Sequence, residues 1–187
     1  MEEYLRSTDI IDWDHPAVLH WAQELGAGSK LEVAQRCFEW VRDEVRHSLD
    51  YKMNPVTCTA SEVLAARTGY CYAKSHLLAG LLRANGIPTG FSYQRLSQDD
   101  DGLTFCLHGL NSIYLPEFGW YRVDARGNKA NVNTQFIPPI EKLAYQPSLL
   151  GEKDFPEIWA DPLPEVVKVL RSYHTYDTLA EHLPDRM

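Results

Sequence analysis

Thr68-Gly69-Tyr70-Cys71-Tyr72-Ala73-Lys74-Ser75-His76-Leu77-Leu78 is the stretch from which the rest of the chain can be read. A glycine precedes the cysteine by two, and a helix-forming run follows at once. That run continues to Ala84, where Asn85-Gly86 stops it and Pro88 forbids continuation. Cys71 therefore falls at the start of a helix. Backbone N–H groups and the helix dipole favour negative charge there, and the thiolate is the nucleophilic form of cysteine. Of the other cysteines, Cys37 and Cys106 fall in apolar patterns and read as small core residues.

Upstream, His15-Pro16 opens a helix that runs to Leu25, ended by Gly26 and Gly28. Ser29-Lys30-Leu31-Glu32 is a capping box, and Leu31, Ala34, Phe38, Val41 and Val45 form one apolar face of the helix that follows. Thr59-Ala60-Ser61-Glu62 is a second capping box, for a short helix ending near Arg67, with Gly69 suited to the left-handed residue after it. Downstream the period changes. Gly90 to Leu96 alternates like a half-exposed strand, and Ser97 to Gly102, with Asp99-Asp100-Asp101, reads as a solvated hairpin tip. Phe105–Leu115 and Gly119–Ala125 form a hairpin around Pro116-Glu117-Phe118, with Trp120 and Tyr121 in its core. Gln135-Phe136-Ile137 is a last short strand, and the proline-rich tail carries helices at Glu165–Tyr173 and Tyr176–His182. Helices first and antiparallel strands after them define an α+β fold, with the cysteine helix packed on the sheet.

At 187 residues the chain suits one domain, 1–187, with a core at about 31–127 and an irregular, partly helical extension at 128–187. The net charge of -8 comes without a basic stripe, which argues against nucleic acid as a partner. The start, Met1-Glu2-Glu3-Tyr4-Leu5, lacks the apolar region of a secretory signal, and no apolar run is long enough for a bilayer, so a cytoplasmic protein without a membrane partner is expected. No C-x-x-C or H-E-x-x-H occurs, so neither a metal nor another cofactor is expected.

A cysteine nucleophile needs a base, and the chain has seven histidines. His15 and His20 lie in or beside the first helix, and His174 and His182 lie in the tail. His76 sits on the cysteine's own helix, about 140° round from it. His47 stands near a helix end, where a cation is favourable for general reasons. His108 differs: it lies in a strand, and Gly109 beside it leaves room. If Tyr114 pairs with Trp120 across the hairpin, Asp124 falls opposite Leu110, on His108's face and one diagonal step away; a register shifted by one would separate them.

These residues carry a resemblance. Gly69-Tyr70-Cys71, with His76 to Pro88 after it, is similar to the cysteine motif of the transglutaminase-like superfamily. His108, and Tyr114 to Asp124, resemble its histidine and aspartate motifs in the same order. The resemblance covers about Val33 to Gly127. It implies a papain-like fold and a catalytic set of Cys71 as nucleophile, His108 as base and Asp124 as orienter, with the Cys71 N–H as an oxyanion donor and a second donor near Tyr51. Leu110, Ala125-Arg126 and Tyr72-Ala73 depart from the residues common in the family at these places, which bears on substrate preference more than on reaction type. Arg83 and Arg126 read as surface or ion-pair residues.

The implied function is thiol-dependent amide chemistry through an acyl-enzyme. The first reading is a hydrolase, a peptidase or amidase acting on a peptide or small amide. The alternatives are acyl transfer to an amine, and a non-catalytic binding module that has kept the fold.

Overall fold

A computed structural model describes residues 1–99 and 101–185; Asp100, at the expected hairpin tip, lies outside the described residues, as do Arg186 and Met187. Helix α1 (Pro16–Leu25) starts on a proline, and α2 (Lys30–Glu44) on the Ser29 capping box: Ser29 Oγ accepts from Glu32 N at 3.3 Å, and Glu32 Oε2 accepts from Ser29 N at 2.8 Å. A two-residue strand β1 (Arg46–His47) and one turn of helix α3 (Ser48–Tyr51) follow. Helix α4 (Ala60–Ala66) begins on the second capping box, where Thr59 Oγ1 accepts from Glu62 N at 3.1 Å.

Arg67, not Gly69, takes the left-handed position after α4, with φ 54°. Gly69 belongs instead to strand β2 (Thr68–Gly69), which pairs in parallel with β1 so that His47 stands opposite Gly69. A side chain at Gly69 would meet Ala73 Cβ at 3.1 Å and Thr57 Oγ1 at 3.2 Å, so close packing is what calls for glycine here.

Helix α5 (Cys71–Ala84) is the centre of the molecule. Every residue from Cys71 to Arg83 is buried, four of them polar. Each polar side chain finds a carbonyl, as buried donors must. Ser75 Oγ donates to Cys71 O at 2.8 Å, His76 Nδ1 to Cys58 O at 2.7 Å, and Lys74 to Val45 O and Arg42 O. Arg83 is no surface residue: it donates to Thr89 O, Arg6 O and Ala160 O and ties the segments around Arg6 and Ala160 to the helix.

Beside α5 lies a four-stranded antiparallel sheet in the order β5-β4-β3-β8, formed by β3 (Thr89–Ser97), β4 (Phe105–Leu115), β5 (Gly119–Val123) and β8 (Lys153–Asp154). A smaller ribbon joins β6 (Gln135–Ile137) to β7 (Ile140–Lys142). The β4–β5 register pairs Tyr114 with Trp120. Strand β3 is buried nearly throughout, although its sequence alternates. The chain returns across its outer side: Phe91 N donates to Trp159 O at 2.7 Å, Phe155 N to Tyr93 O at 3.1 Å, and Leu163 N to the Tyr93 hydroxyl at 3.1 Å. The tail then forms helices α6 (Pro164–Ser172) and α7 (Tyr176–Ala180), which anchor through Val166, Leu170 and Leu179. Among the described residues no helix is long and apolar enough to cross a membrane.

Candidate active site

Cys71 is the first residue of α5, so helix geometry leaves its N–H without an intrahelical acceptor. Strand β4 runs close to this helix end. A Cβ on Gly109 would lie 2.8 Å from Tyr72 Cδ1, and the buried Tyr72 hydroxyl donates to Leu107 O. The space left by Gly109 is therefore filled by the residue after the cysteine, and the Tyr72 bond clamps the strand beside it.

That clamp sets His108 next to Cys71. His108 Nε2 meets Asp124 Oδ2 at 2.7 Å, and the cysteine is the imidazole's other polar neighbour. Asp124 lies just beyond β5, brought to His108 by the Tyr114–Trp120 register. It also accepts from Arg126 N and from Ala144 N, each at 3.1 Å. Burial works against a charge on His108, but the negative charge of Asp124, and behind it that of the cysteine, outweighs burial and pushes the imidazole up to about 10. Burial likewise opposes the Asp124 charge, and His108 with the two backbone donors overcomes it, holding the carboxyl below its usual value. The pair is nearly sealed, with His108 5% and Asp124 1% exposed.

A cleft of about 830 Å³ opens over Cys71 and His108. Tyr145 stands edge-on to the His108 ring at 5.2 Å between centroids. Arg126 is buried and grips Asp50 with both arms, Nη1 to Oδ2 at 2.6 Å and Nη2 to Oδ1 at 2.9 Å; Lys129 adds a third contact to Asp50 at 3.2 Å. His47 is buried at the cleft wall, its ring 5.5 Å from that of Tyr70. Its Nδ1 has no hydrogen-bond partner among the described residues and lies 3.7 Å from Asp50 Oδ2. Burial, and then the nearby Arg126 charge, drives its affinity for a proton well below that of a free imidazole. It is a neutral histidine of the cleft and no helix-end cation.

One further expectation, Cys106 as a core residue, is corrected by the cleft. Cys106 lines it with Cys71 and is only partly buried, because β4 alternation puts it on the His108 face. Of the segment around Tyr51, the residues that reach the cleft are His47, Leu49 and Asp50, while Tyr51 itself is 54% exposed under the Arg46 guanidinium. Sequence reasoning gave no role to Asp50, Ala144 or Tyr145. The one available signal was the pairing potential of Arg126; the loop around Tyr145 offers none.

The arrangement is a cysteine at a helix start, facing a histidine–carboxylate pair carried by an adjacent antiparallel hairpin. The sequence matches the Transglutaminase-like superfamily over residues 19–125, more than half its length, and the chain belongs to that superfamily. No curated protein matches it. Among solved structures it is similar to a "putative cysteine protease" from Cytophaga hutchinsonii, with 18% identity, a TM-score of 0.51, and 66% of this chain covered against 40% of that one. It is also similar to the periplasmic domain of TgpA from Pseudomonas aeruginosa, with 19% identity, a TM-score of 0.47, and coverage of 66% and 45%. The chain thus spans less than half the length of either structure. At such identity the first likeness speaks for the fold: helices and an antiparallel sheet of transglutaminase-like type.

Proposed function

We propose that the protein is a thiol enzyme that cleaves an amide through an acyl-enzyme, with Cys71 as nucleophile, His108 as acid and base, and Asp124 as orienter. The observation that carries this reading is the sealed 2.7 Å contact between His108 and Asp124 beside a cysteine at a helix start. In the resting site His108 carries a proton, burial being outweighed by the charge of Asp124. The thiolate adds to the amide carbonyl, and the oxygen that becomes negative faces the free N–H of Cys71. When the C–N bond breaks, the imidazolium gives its proton to the departing amine, leaving a thioester on Cys71. Water then loses a proton to His108 and attacks the thioester, which releases a carboxylic acid and leaves the thiolate beside the protonated imidazole, as at the start.

An amine in place of water would give acyl transfer. Hydrolysis is the reading we favour, because the cleft over Cys71 and His108 opens to the surface. The test is the reactivity of Cys71 toward iodoacetamide from pH 5 to 8, followed by mass spectrometry. The reading expects fast labelling at Cys71 at pH 6, with loss of that advantage in His108→Ala. Labelling no faster than a free model thiol would leave a binding module that has kept the fold.

A further inference from the structure

The edge of β4 beside His108 is already occupied. Strand β5 pairs with β4 only from Asn111 to Leu115, so among the described residues the same edge from Phe105 to Leu110 has no strand beside it. A free strand edge next to a nucleophile is where an extended peptide would pair its backbone. Here the chain uses that edge itself. Leu107 N donates to Pro184 O at 2.7 Å, Leu107 O accepts from the Tyr72 hydroxyl, and Gly109 O accepts from Ser75 Oγ at 3.3 Å.

The segment that takes Leu107 N is held firmly. Leu179 of α7 is fully buried, and the Tyr70 hydroxyl donates to Tyr176 O. His182 stacks on Tyr173 at 4.4 Å between centroids. Beyond Pro184, Asp185 receives both arms of Arg95, at 2.6 and 3.1 Å, and Arg95 lies flat on Phe105, 3.8 Å from its centroid. Ala180 and Leu183 complete the cleft wall on this side. The remaining volume of about 830 Å³ is that of a small-molecule pocket and not of a groove for a long chain.

We infer that Leu183–Asp185 is a built-in stop. It closes one flank of the cleft, so the site takes amides that are small or lie at a chain end, with little substrate beyond the reacting bond on that side, and it rejects amides in the middle of a polypeptide. This rests on Cys71 being the reacting thiol, as proposed above, and the test separates the two claims.

The probes are fumaramides, whose double bond takes the thiolate at one carbon and a proton at the other. One carries a tetraglycine arm on one nitrogen and a methyl group on the other; the second carries tetraglycine arms on both. Wild-type protein is expected to label Cys71 with the one-armed probe at least about tenfold faster than with the two-armed probe, a preference of about 1.4 kcal/mol. Removing residues 183–187, or the double change Leu183→Gly with Asp185→Ala should the deletion fail to fold, is expected to abolish that ratio while Cys71 still reacts with iodoacetamide faster than a free model thiol. Equal labelling of wild type by both probes overturns the inference, as does an unchanged ratio in a folded variant. A slow iodoacetamide reaction with the ratio intact would count against the enzyme reading and leave the stop in place.

Discussion

Replacing Asp124 with asparagine removes one charge and almost no volume, and its consequences can be worked out atom by atom. Asp124 Oδ2 accepts from His108 Nε2 and Ala144 N, and Oδ1 accepts from Arg126 N. An asparagine has one acceptor oxygen, and it keeps two of the three bonds by placing that oxygen where Oδ2 stands. Its amide then faces the Arg126 N–H, donor against donor, in a buried site, which costs about 1–3 kcal/mol of stability. The larger effect is on His108. The imidazole is held near 10, and a free one titrates near 6.5. That gap corresponds to about 5 kcal/mol favouring imidazolium, achieved against burial. An opposite charge at this distance is worth roughly 1–3 pH units, so His108 in the variant should titrate lower by about that much. The assay is imidazole nitrogen NMR of histidine-labelled protein between pH 5 and 10.5, with His108→Gln identifying the resonance. Wild type should remain imidazolium past pH 9, and the variant should lose its proton well before that. Acylation that depends on His108 as acid should fall over the same range. Titration of wild-type His108 near 6.5, or no difference between the two proteins, would refute the reasoning.

Lys74 and His108 make opposite contributions to stability across neutral pH. Burial, and then the Arg126 charge, lowers Lys74 to about 7, so the folded state binds fewer protons than the unfolded one from there to about 10.4, and stability from this group rises with pH. His108 is raised, so its contribution is complete below about 6.5 and is lost as pH climbs through about 10. The wild type should therefore be nearly flat from pH 7 to 8.5, while Lys74→Met loses roughly 2 kcal/mol over that window by urea unfolding; a flat Lys74→Met profile would contradict it. Tyr72→Phe strips Leu107 O of its buried donor and should cost about 1–3 kcal/mol, with slower Cys71 labelling as β4 loosens. Gly109→Ala places a methyl 2.8 Å from Tyr72 Cδ1, and overpacking should destabilise by about 1–3 kcal/mol; a neutral result would show that β4 can move away from α5 freely.

Much of this molecule is legible one segment at a time. Ser29 with Glu32 and Thr59 with Glu62 cap their helices through side chains three residues apart, and Asn85-Gly86 and Pro88 end α5, so local chemistry suffices for those boundaries. Strand alternation permits Asp124 on the face of His108, and it is the Tyr114–Trp120 register of the folded hairpin that puts it there. The misreadings share one cause: the partner is remote. Strand β3 alternates as though one face met water, but on that face Tyr145 O and Asp154 take the Gln94 amide, and Ile158 and Tyr4 close over Gly90, all from far along the chain. Arg83 reads as a surface cation, yet two carbonyls from distant segments, Arg6 O and Ala160 O, enclose it together with Thr89 O. Nothing local distinguishes Cys106 from a core cysteine until β4 is laid beside the cleft.

The sequence by itself singled out Cys71, His108 and Asp124 as candidates, through a thiol at a helix start, a histidine and a carboxylate on one hairpin, and a family resemblance that joins the three. Only the tertiary structure decided what surrounds them. Asp50 lies 76 residues from the Arg126 that grips it, Tyr70 lies 106 residues from the carbonyl that receives its hydroxyl, and Pro184 reaches back to Leu107. Contacts of that range leave no periodicity or cap in the chain. They follow from how buried donors across the whole fold find acceptors, and here they shape the cleft in which the thiol sits.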